Sequence, residues 1–381
     1  MPIARIPLLA CALCLIAHCA AAAAPIKVAA LYNTTGGMSS IDTPGLRGAK
    51  LAAKHMNAQG GVGGRPIELV VFDTASDPQA AAAAAGKALD AGVAAGIGYG
   101  DTNFVLAAAP LFMEKGVPFI TSGATLPDLP KRLGANFFMV PFGDDDQAHA
   151  IADYAREDLG LKRVAVWTDM SMDFTTALSR YFEKRFRAKG GEVVLTDEFK
   201  AGDRDFSALV ERLQKAEPKP DAVFVAAVPD EAGVIVKQIR QAGLKLPILS
   251  GDGFDTELVA TVPGPDLAHG VYFSTHTFRG DARPKVQQFI ADYRAEYGVA
   301  PESAFAALGY DAVMLVADAC GRAGKGDTQT LRQALRGTRH FEGVTGRIDY
   351  SRKSGVPKKA VSIIAVTGGA YTVKEVWRPG R

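Results

Sequence analysis

Short apolar runs alternate with longer stretches of three- to four-residue periodicity along this chain, and the alternation occurs twice in the same order. Runs of this length bounded by Gly or Pro read as buried parallel strands, and the periodic stretches read as helices. The first series predicts strands at Lys27–Tyr32, Ile67–Phe72, Val93–Gly98 and Val117–Thr121, with helices at Pro44–Asn57, Pro78–Ala91 and Thr102–Lys115 between them. The second predicts strands at Arg163–Trp167, Glu192–Thr196, Asp221–Ala226 and Leu246–Ser250, separated by helices at Phe174–Lys189, Asp205–Ala216 and Asp230–Ala242. Even the junctions match. Residues 114–123 (Glu-Lys-Gly-Val-Pro-Phe-Ile-Thr-Ser-Gly) parallel 241–251 (Gln-Ala-Gly-Leu-Lys-Leu-Pro-Ile-Leu-Ser-Gly): a glycine after the helix, a proline at strand entry, a polar strand exit.

A chain of 381 residues is too long for one ordinary core. The expected fold is therefore α/β, with two doubly wound, Rossmann-like lobes. Such sheets bind ligands beyond the carboxyl ends of their strands, so two facing lobes share one binding cleft. The remaining helices (Pro284–Tyr297, Ser303–Ala323, Thr328–Gly337) and strands (near Gly346–Tyr350, Val361–Val366, Tyr371–Val376) complete the lobes. The chain then crosses between lobes near Gly143, Phe273 and Tyr350. Lobe one takes 25–142 and 273–349, lobe two 143–272 and 350–381. Crossings grouped at one edge make a hinge.

The first 24 residues read as a secretory signal peptide. Arg5 precedes an apolar stretch, Ile6 to Ala17, and a small-residue run, Ala20 to Ala24. Leu8-Leu9-Ala10-Cys11 has the form of a lipoprotein box but leaves little apolar core before it, so lipid anchoring at Cys11 is the lesser reading. Cys11, Cys14 and Cys19 lie in this segment, which leaves Cys320 alone in the mature chain and no internal disulfide. The expected location is periplasmic. The formal net charge of +2 gives no electrostatic case for nucleic acid as a partner.

Catalytic chemistry is hard to find. Gly96-Ile-Gly98-Tyr-Gly100 follows a strand, but its third glycine is misplaced for a dinucleotide fingerprint, and it reads as a tight strand–helix turn. His55, His149, His269, His276 and His340 lack metal-ligand spacing and read as ordinary surface or core histidines. Asp144-Asp145-Asp146 lacks a calcium-loop pattern and is expected to cap and charge the helix holding His149. Neither a cofactor nor a metal is expected, and the chain reads as a binder rather than an enzyme.

Binding chemistry is concentrated at strand ends. Asp101-Thr102-Asn103 starts a helix whose free N–H groups and Thr102 hydroxyl suit a carboxylate, although the same residues would also serve as a plain cap. Thr121-Ser122-Gly123-Ala124-Thr125 adds hydroxyls and amides beside it. At the matching strand end of lobe two, Gly251-Asp252-Gly253 supplies one carboxylate, which could equally be an exposed turn aspartate. An anion site opposite an acid is what a zwitterion needs.

The mature chain resembles, over nearly its whole length, the periplasmic leucine/isoleucine/valine-binding proteins of ABC transporters. The resemblance rests on Ile26-Lys-Val-Ala-Ala, Gly48-Ala-Lys-Leu-Ala, the segments 57–69, 72–78 and 202–209, and Ala307-Leu-Gly-Tyr-Asp-Ala-Val, all in order. It implies a type I periplasmic-binding fold with a three-strand hinge and a membrane permease as partner. It places a carboxylate-binding hydroxyl on Thr102, backbone groups and a threonine on Gly123, Ala124 and Thr125, the ammonium-receiving acid on Asp252, and aromatic walls on Phe174 and Phe305. Two positions that are often aromatic in the family are Ile41 and Val228 here, so a more apolar side-chain pocket is expected. The expected ligand is an apolar or branched-chain amino acid. The alternatives are an aromatic or other organic acid or amide, or a ligand-sensing role in a signalling system.

Overall fold

The computed structural model describes residues 23–324, 328–351 and 354–380. The signal-peptide reading, with Cys11, Cys14 and Cys19, falls almost wholly outside the described residues. The first lobe begins β1 (Ile26–Tyr32), α1 (Ser39–Ala58), β2 (Ile67–Asp73), α2 (Pro78–Asp90), β3 (Ala95–Gly98) and α3 (Thr102–Glu114). It continues with β4 (Phe119–Thr121), α4 (Leu129–Leu133) and β5 (Phe137–Met139). The second lobe runs α5 (Asp144–Glu157), β6 (Arg163–Asp169), α6 (Asp173–Ala188), β7 (Glu192–Phe199), α7 (Ser207–Lys215) and β8 (Ala222–Ala226). Then come α8 (Pro229–Gln241), β9 (Ile248–Ser250), α9 (Leu258–Thr261) and β10 (His269–Thr275).

The strand orders are β2-β1-β3-β4-β5 in the first sheet and β7-β6-β8-β9-β10 in the corresponding part of the second. All of these neighbours pair parallel. The internal repeat is thus real at the level of topology. The central strands are buried throughout, as the apolar runs demand: every residue of β3 and β8 is inside. The outer strands β2 and β7 instead expose three residues each, because an edge strand has one neighbour and less cover.

After β10 the chain returns to the first lobe as α10 (Pro284–Tyr297), α11 (Phe305–Ala323), α12 (Thr328–Arg336) and the hairpin β11 (Phe341–Gly343) with β12 (Gly346–Ile348). Finally β13 (Val361–Thr367) pairs antiparallel with β10 and β14 (Ala370–Trp377) antiparallel with β13, completing a seven-stranded sheet. Phe273 to Thr275 still pair within that sheet, slightly beyond the expected crossing.

The return segment is anchored by glycine. A Cβ at Gly48 of α1 would collide with the Ala306 carbonyl, and one at Gly309 of α11 with the Gly45 carbonyl. The absence of side chains lets the two helices touch backbone to backbone. Helix ends follow local chemistry. Asp77 accepts from Gln79 N at 2.8 Å ahead of Pro78, and Gly298 ends α10 with a left-handed φ of 75°. Asp144, Asp145 and Asp146 do fill the first turn of α5, but they do not cap it: the capping position is Gly143, with no side-chain bond. Among the described residues, no helix is long and apolar enough to cross a membrane, and no His/Cys/Asp/Glu group is arranged for a metal. Cys320 is a free, buried thiol.

Candidate ligand-binding cleft

Every parallel strand points its carboxyl end toward the junction of the lobes, and the candidate residues follow those ends. Ile41 lies beyond β1, Thr102 beyond β3, and Gly123, Ala124 and Thr125 beyond β4. Phe174 follows β6, Val228 follows β8 and Asp252 follows β9, while Phe305 opens α11. All nine are buried.

On the first lobe, Ile41, Gly100, Gly123 and Phe305 form one surface. A Cβ at Gly123 would stand 2.8 Å from both Gly100 Cα and the Phe305 ring, and one at Gly100 would stand 2.8 Å from Ile41 Cδ1. The turn that carries Gly100 is fixed by Asp42. Its Oδ1 accepts from Gly100 N at 2.7 Å and its Oδ2 from Asn33 N at 2.8 Å. Burial pushes the Asp42 carboxyl up to about 7, against the pull of those two bonds. The backbone reverses at Tyr99, whose φ is 58°, so the predicted tight strand–helix turn is present.

Thr102 is the first residue of α3 and is 0% exposed. Asp101 caps the helix by accepting from Asn103 N at 2.7 Å. The Thr102 hydroxyl therefore does not perform the capping, and it finds no hydrogen-bond partner among the described residues. A buried, unpaired hydroxyl at a helix N-terminus is costly unless something occupies the space before it. Burial also lifts the Asp101 carboxyl to about 6.

On the second lobe, Phe174, Val228 and Asp252 gather around Gly253. A Cβ there would meet the Phe174 ring at 3.3 Å and would collide with the carbonyl of Ala227, next to Val228. Asp252 is 2% exposed, which excludes an exposed turn aspartate. Its carboxylate is held from two sides. Gln147 Nε2 donates to Oδ1 at 3.0 Å, and His276 Nε2 donates to Oδ2 at 3.0 Å. Gln147 also accepts from Asp252 N at 2.9 Å and from Ser274 Oγ at 3.0 Å.

Gln147 and His276 were not legible as site residues in the sequence. His276 reads there as an ordinary histidine, but the structure stacks it on Phe142 at 3.7 Å between centroids and sets it edge-on to Phe305 at 6.4 Å. It thereby connects the acid on lobe two with the aromatic wall on lobe one. Burial lowers its tendency to take a proton, while Asp252 opposes that shift. A neutral ring with the hydrogen on Nε2 satisfies Asp252 and leaves Nδ1 without a partner among the described residues. Asp144 lies nearby, and burial reinforced by the Asp252 charge holds it well above the usual carboxylate range.

The lobes touch across the cleft mouth. Asn103, next to Thr102, donates to Ser171 O at 3.3 Å and accepts from Asp173 N at 3.3 Å. Arg132 pairs with Asp173 at 2.8 Å.

Comparison with known proteins fits this geometry. The chain is 30% identical over 314 residues to the Leu/Ile/Val-binding protein homolog 1 of Brucella suis, a match covering 82% of each chain. The leucine-binding protein LivK of Thermotoga maritima superposes with a TM-score of 0.86 at 34% identity, covering 93% of this chain and 99% of that one. The branched-chain amino acid transporter substrate-binding protein LivJ of Streptococcus pneumoniae, solved with isoleucine, gives a TM-score of 0.87 at 31% identity, covering 93% and 100%. The family model described as periplasmic binding protein matches residues 25–370, and the chain belongs to that family.

Proposed function

We propose that the chain is the extracytoplasmic solute receptor of an ABC importer and that its ligand is an apolar or branched-chain amino acid held between the lobes. One observation carries this reading. The interlobe cleft has a buried Thr102 hydroxyl with no partner among the described residues at the α3 N-terminus on one side, and a buried Asp252 carboxyl clamped by Gln147 and His276 on the other. The first end suits a carboxylate and the second an ammonium. Ile41, Phe174, Val228 and Phe305 provide apolar walls for a side chain, and Gly123, Ala124 and Thr125 supply backbone and hydroxyl groups beside Thr102. The similarity to relatives named for leucine, isoleucine and valine supports the same ligand class.

Affinity follows without any nucleophile or metal. Charge-assisted hydrogen bonds contribute about 1.5–3 kcal/mol each, and a buried aliphatic side chain about 1.5–3 kcal/mol. Two or three such bonds with one side chain outweigh the cost of ordering and reach about −8 kcal/mol, or roughly micromolar binding. The chain acts by binding and closing, not by catalysis. Its partner is a membrane permease that reads the closed lobes, and its place is the periplasm after signal cleavage. The lobe division proposed above puts the hinge on the cleft side that carries His276.

An organic-acid ligand is the second reading. It is favoured by the two protein donors that already occupy Asp252 and by Ile41 and Val228 in place of aromatic residues. One experiment separates the two. The mature chain is unfolded, freed of ligand, refolded and screened by thermal stability against amino acids and aromatic acids. A ligand at about 100 times its Kd adds roughly 2.7 kcal/mol. Stabilisation by leucine, isoleucine or valine is expected. Stabilisation by simple acids alone would replace the amino-acid reading with the second.

A further inference from the structure

A cavity of about 520 Å³ lies on the far side of the wall that carries Asp252. Asp252 starts a short 3-10 turn, Asp252–Phe254, and Asp255 follows directly. Asp252 is held by Gln147 and His276 at the cleft, whereas Asp255 lines this second space. The cavity draws its walls from both lobes and from the crossing between them. Phe273, Ile364 and Tyr371 come from lobe two, Thr277 and Phe278 from the crossing, and Phe289 from α10. Its volume falls within the usual range for small-molecule sites.

Its walls are apolar and aromatic. Phe273 and Tyr371 meet edge to face at 6.1 Å. Tyr371 and Val373, which are 39% and 37% exposed, are two of the few large apolar residues left open on the described surface, and both line this cavity. Its charged groups are mainly acidic. Asp255 is 7% exposed, and both hydrogen bonds to its side chain, from Thr275 Oγ1 and from Ala304 N at 2.9 Å, end on Oδ2. Oδ1 is left with no protein donor among the described residues. Glu302 is already engaged by Arg47 and by Tyr293 Oη at 2.8 Å. That leaves Asp255 and the exposed Glu257 against one cation, Arg279, whose Nε is turned to Pro301 O at 3.0 Å.

We propose that this cavity is a second small-molecule site, distinct from the cleft, for an organic ammonium with an apolar or aromatic body. The ammonium donates to Asp255 Oδ1, and the body lies against Phe273, Phe289 and Tyr371, where aromatic faces favour a nearby cation. Because the Asp255–Ala304 bond joins the two lobes and Ala304 precedes the cleft residue Phe305, an occupant sits directly behind the cleft wall. Burial raises the Asp255 carboxyl to about 6, so the acid is ionised and receptive at pH 8.

The test uses 2-phenylethylamine as probe and 3-phenylpropionate as its anionic counterpart, titrated calorimetrically into the mature chain at pH 8. Asp255→Asn keeps the shape and removes the charge. Val373→Trp fills the mouth from a partly exposed strand position and leaves the fold intact, as a melting curve verifies. The expected result is saturable amine binding that weakens at least tenfold in Asp255→Asn and is lost in Val373→Trp, with no comparable binding of 3-phenylpropionate. The proposal is overturned if the wild-type chain shows no saturable amine binding, if both variants bind the amine as the wild type does, or if the anion binds as well as the amine.

Discussion

Thr102 and Asp252 carry the opposite ends of the proposed ligand, and each makes a separate prediction. Thr102→Ala should weaken every carboxylate ligand about tenfold, close to 1.5 kcal/mol, the value of one hydrogen bond to a charged group. Equilibrium binding of an amino acid and of a simple acid checks this, and unchanged affinity for both would remove the anion site. His276 adds a pH dependence. Its ring is neutral in the fold, because burial lowers its proton affinity. On acidification below the ordinary histidine range the ring gains a positive charge beside Asp252, where it repels an ammonium, and Lys359 adds only further positive charge. Affinity for an amino acid should therefore fall from pH 7.5 to pH 5. His276→Gln, which retains a donor for Asp252 but cannot titrate, should flatten that profile. A fall of equal size in the variant would contradict the role given to the imidazole. The end groups themselves were legible, because a hydroxyl at a helix start and an acid after a strand are local patterns. Gln147 and His276 were not, because their meaning depends on two crossings bringing α5 and the end of β10 to one carboxylate.

At the scale of elements, the repeat of short apolar runs gave the strands, the helices and their order, since a strand buried on both faces has no polar alternation to obscure it. The edge strands β2 and β7 were legible as well, although they run on to Asp73 and Phe199, past the expected ends. Two strands that were not legible, Phe137–Met139 and Phe341–Gly343, are three residues each, too short for a periodic signal. The α1–α11 contact was also hidden, because Gly48 and Gly309 look like ordinary interior glycines until the helices are docked. Their backbones meet where a methyl group would collide with a carbonyl. Gly48→Ala should therefore destabilise the chain by about 1–3 kcal/mol, the usual range for overpacking. Denaturant unfolding measures this, and a neutral result would mean that the helices part without cost. Asp42 allows a further check. Its folded-state pKa of about 7 lies above its unfolded value, so the unfolded chain loses this proton first and stability falls as pH rises between about 4 and 7. Asp42→Asn should remove that loss, so its melting temperature relative to the wild type should rise from pH 5 to pH 8.

For the whole molecule, two sheets of matching topology are joined by three crossings, and Asn103 of the first lobe bonds Ser171 and Asp173 of the second. Asn103→Ala removes both contacts without touching the apolar walls. It should speed ligand release about tenfold while changing the association rate little, as stopped-flow kinetics would show. An unchanged release rate would mean that the latch holds nothing. The central claim is that the cleft holds an amino acid by its two charged ends, and calorimetric titration of leucine, isoleucine and valine into the stripped, refolded chain tests it most directly. The wild type should bind at least one of them at roughly micromolar Kd, Thr102→Ala should bind it about tenfold more weakly, and Asp252→Ala should not bind it measurably. Amino-acid binding that survives Asp252→Ala undiminished, or a wild type that binds none of the three, would contradict the account.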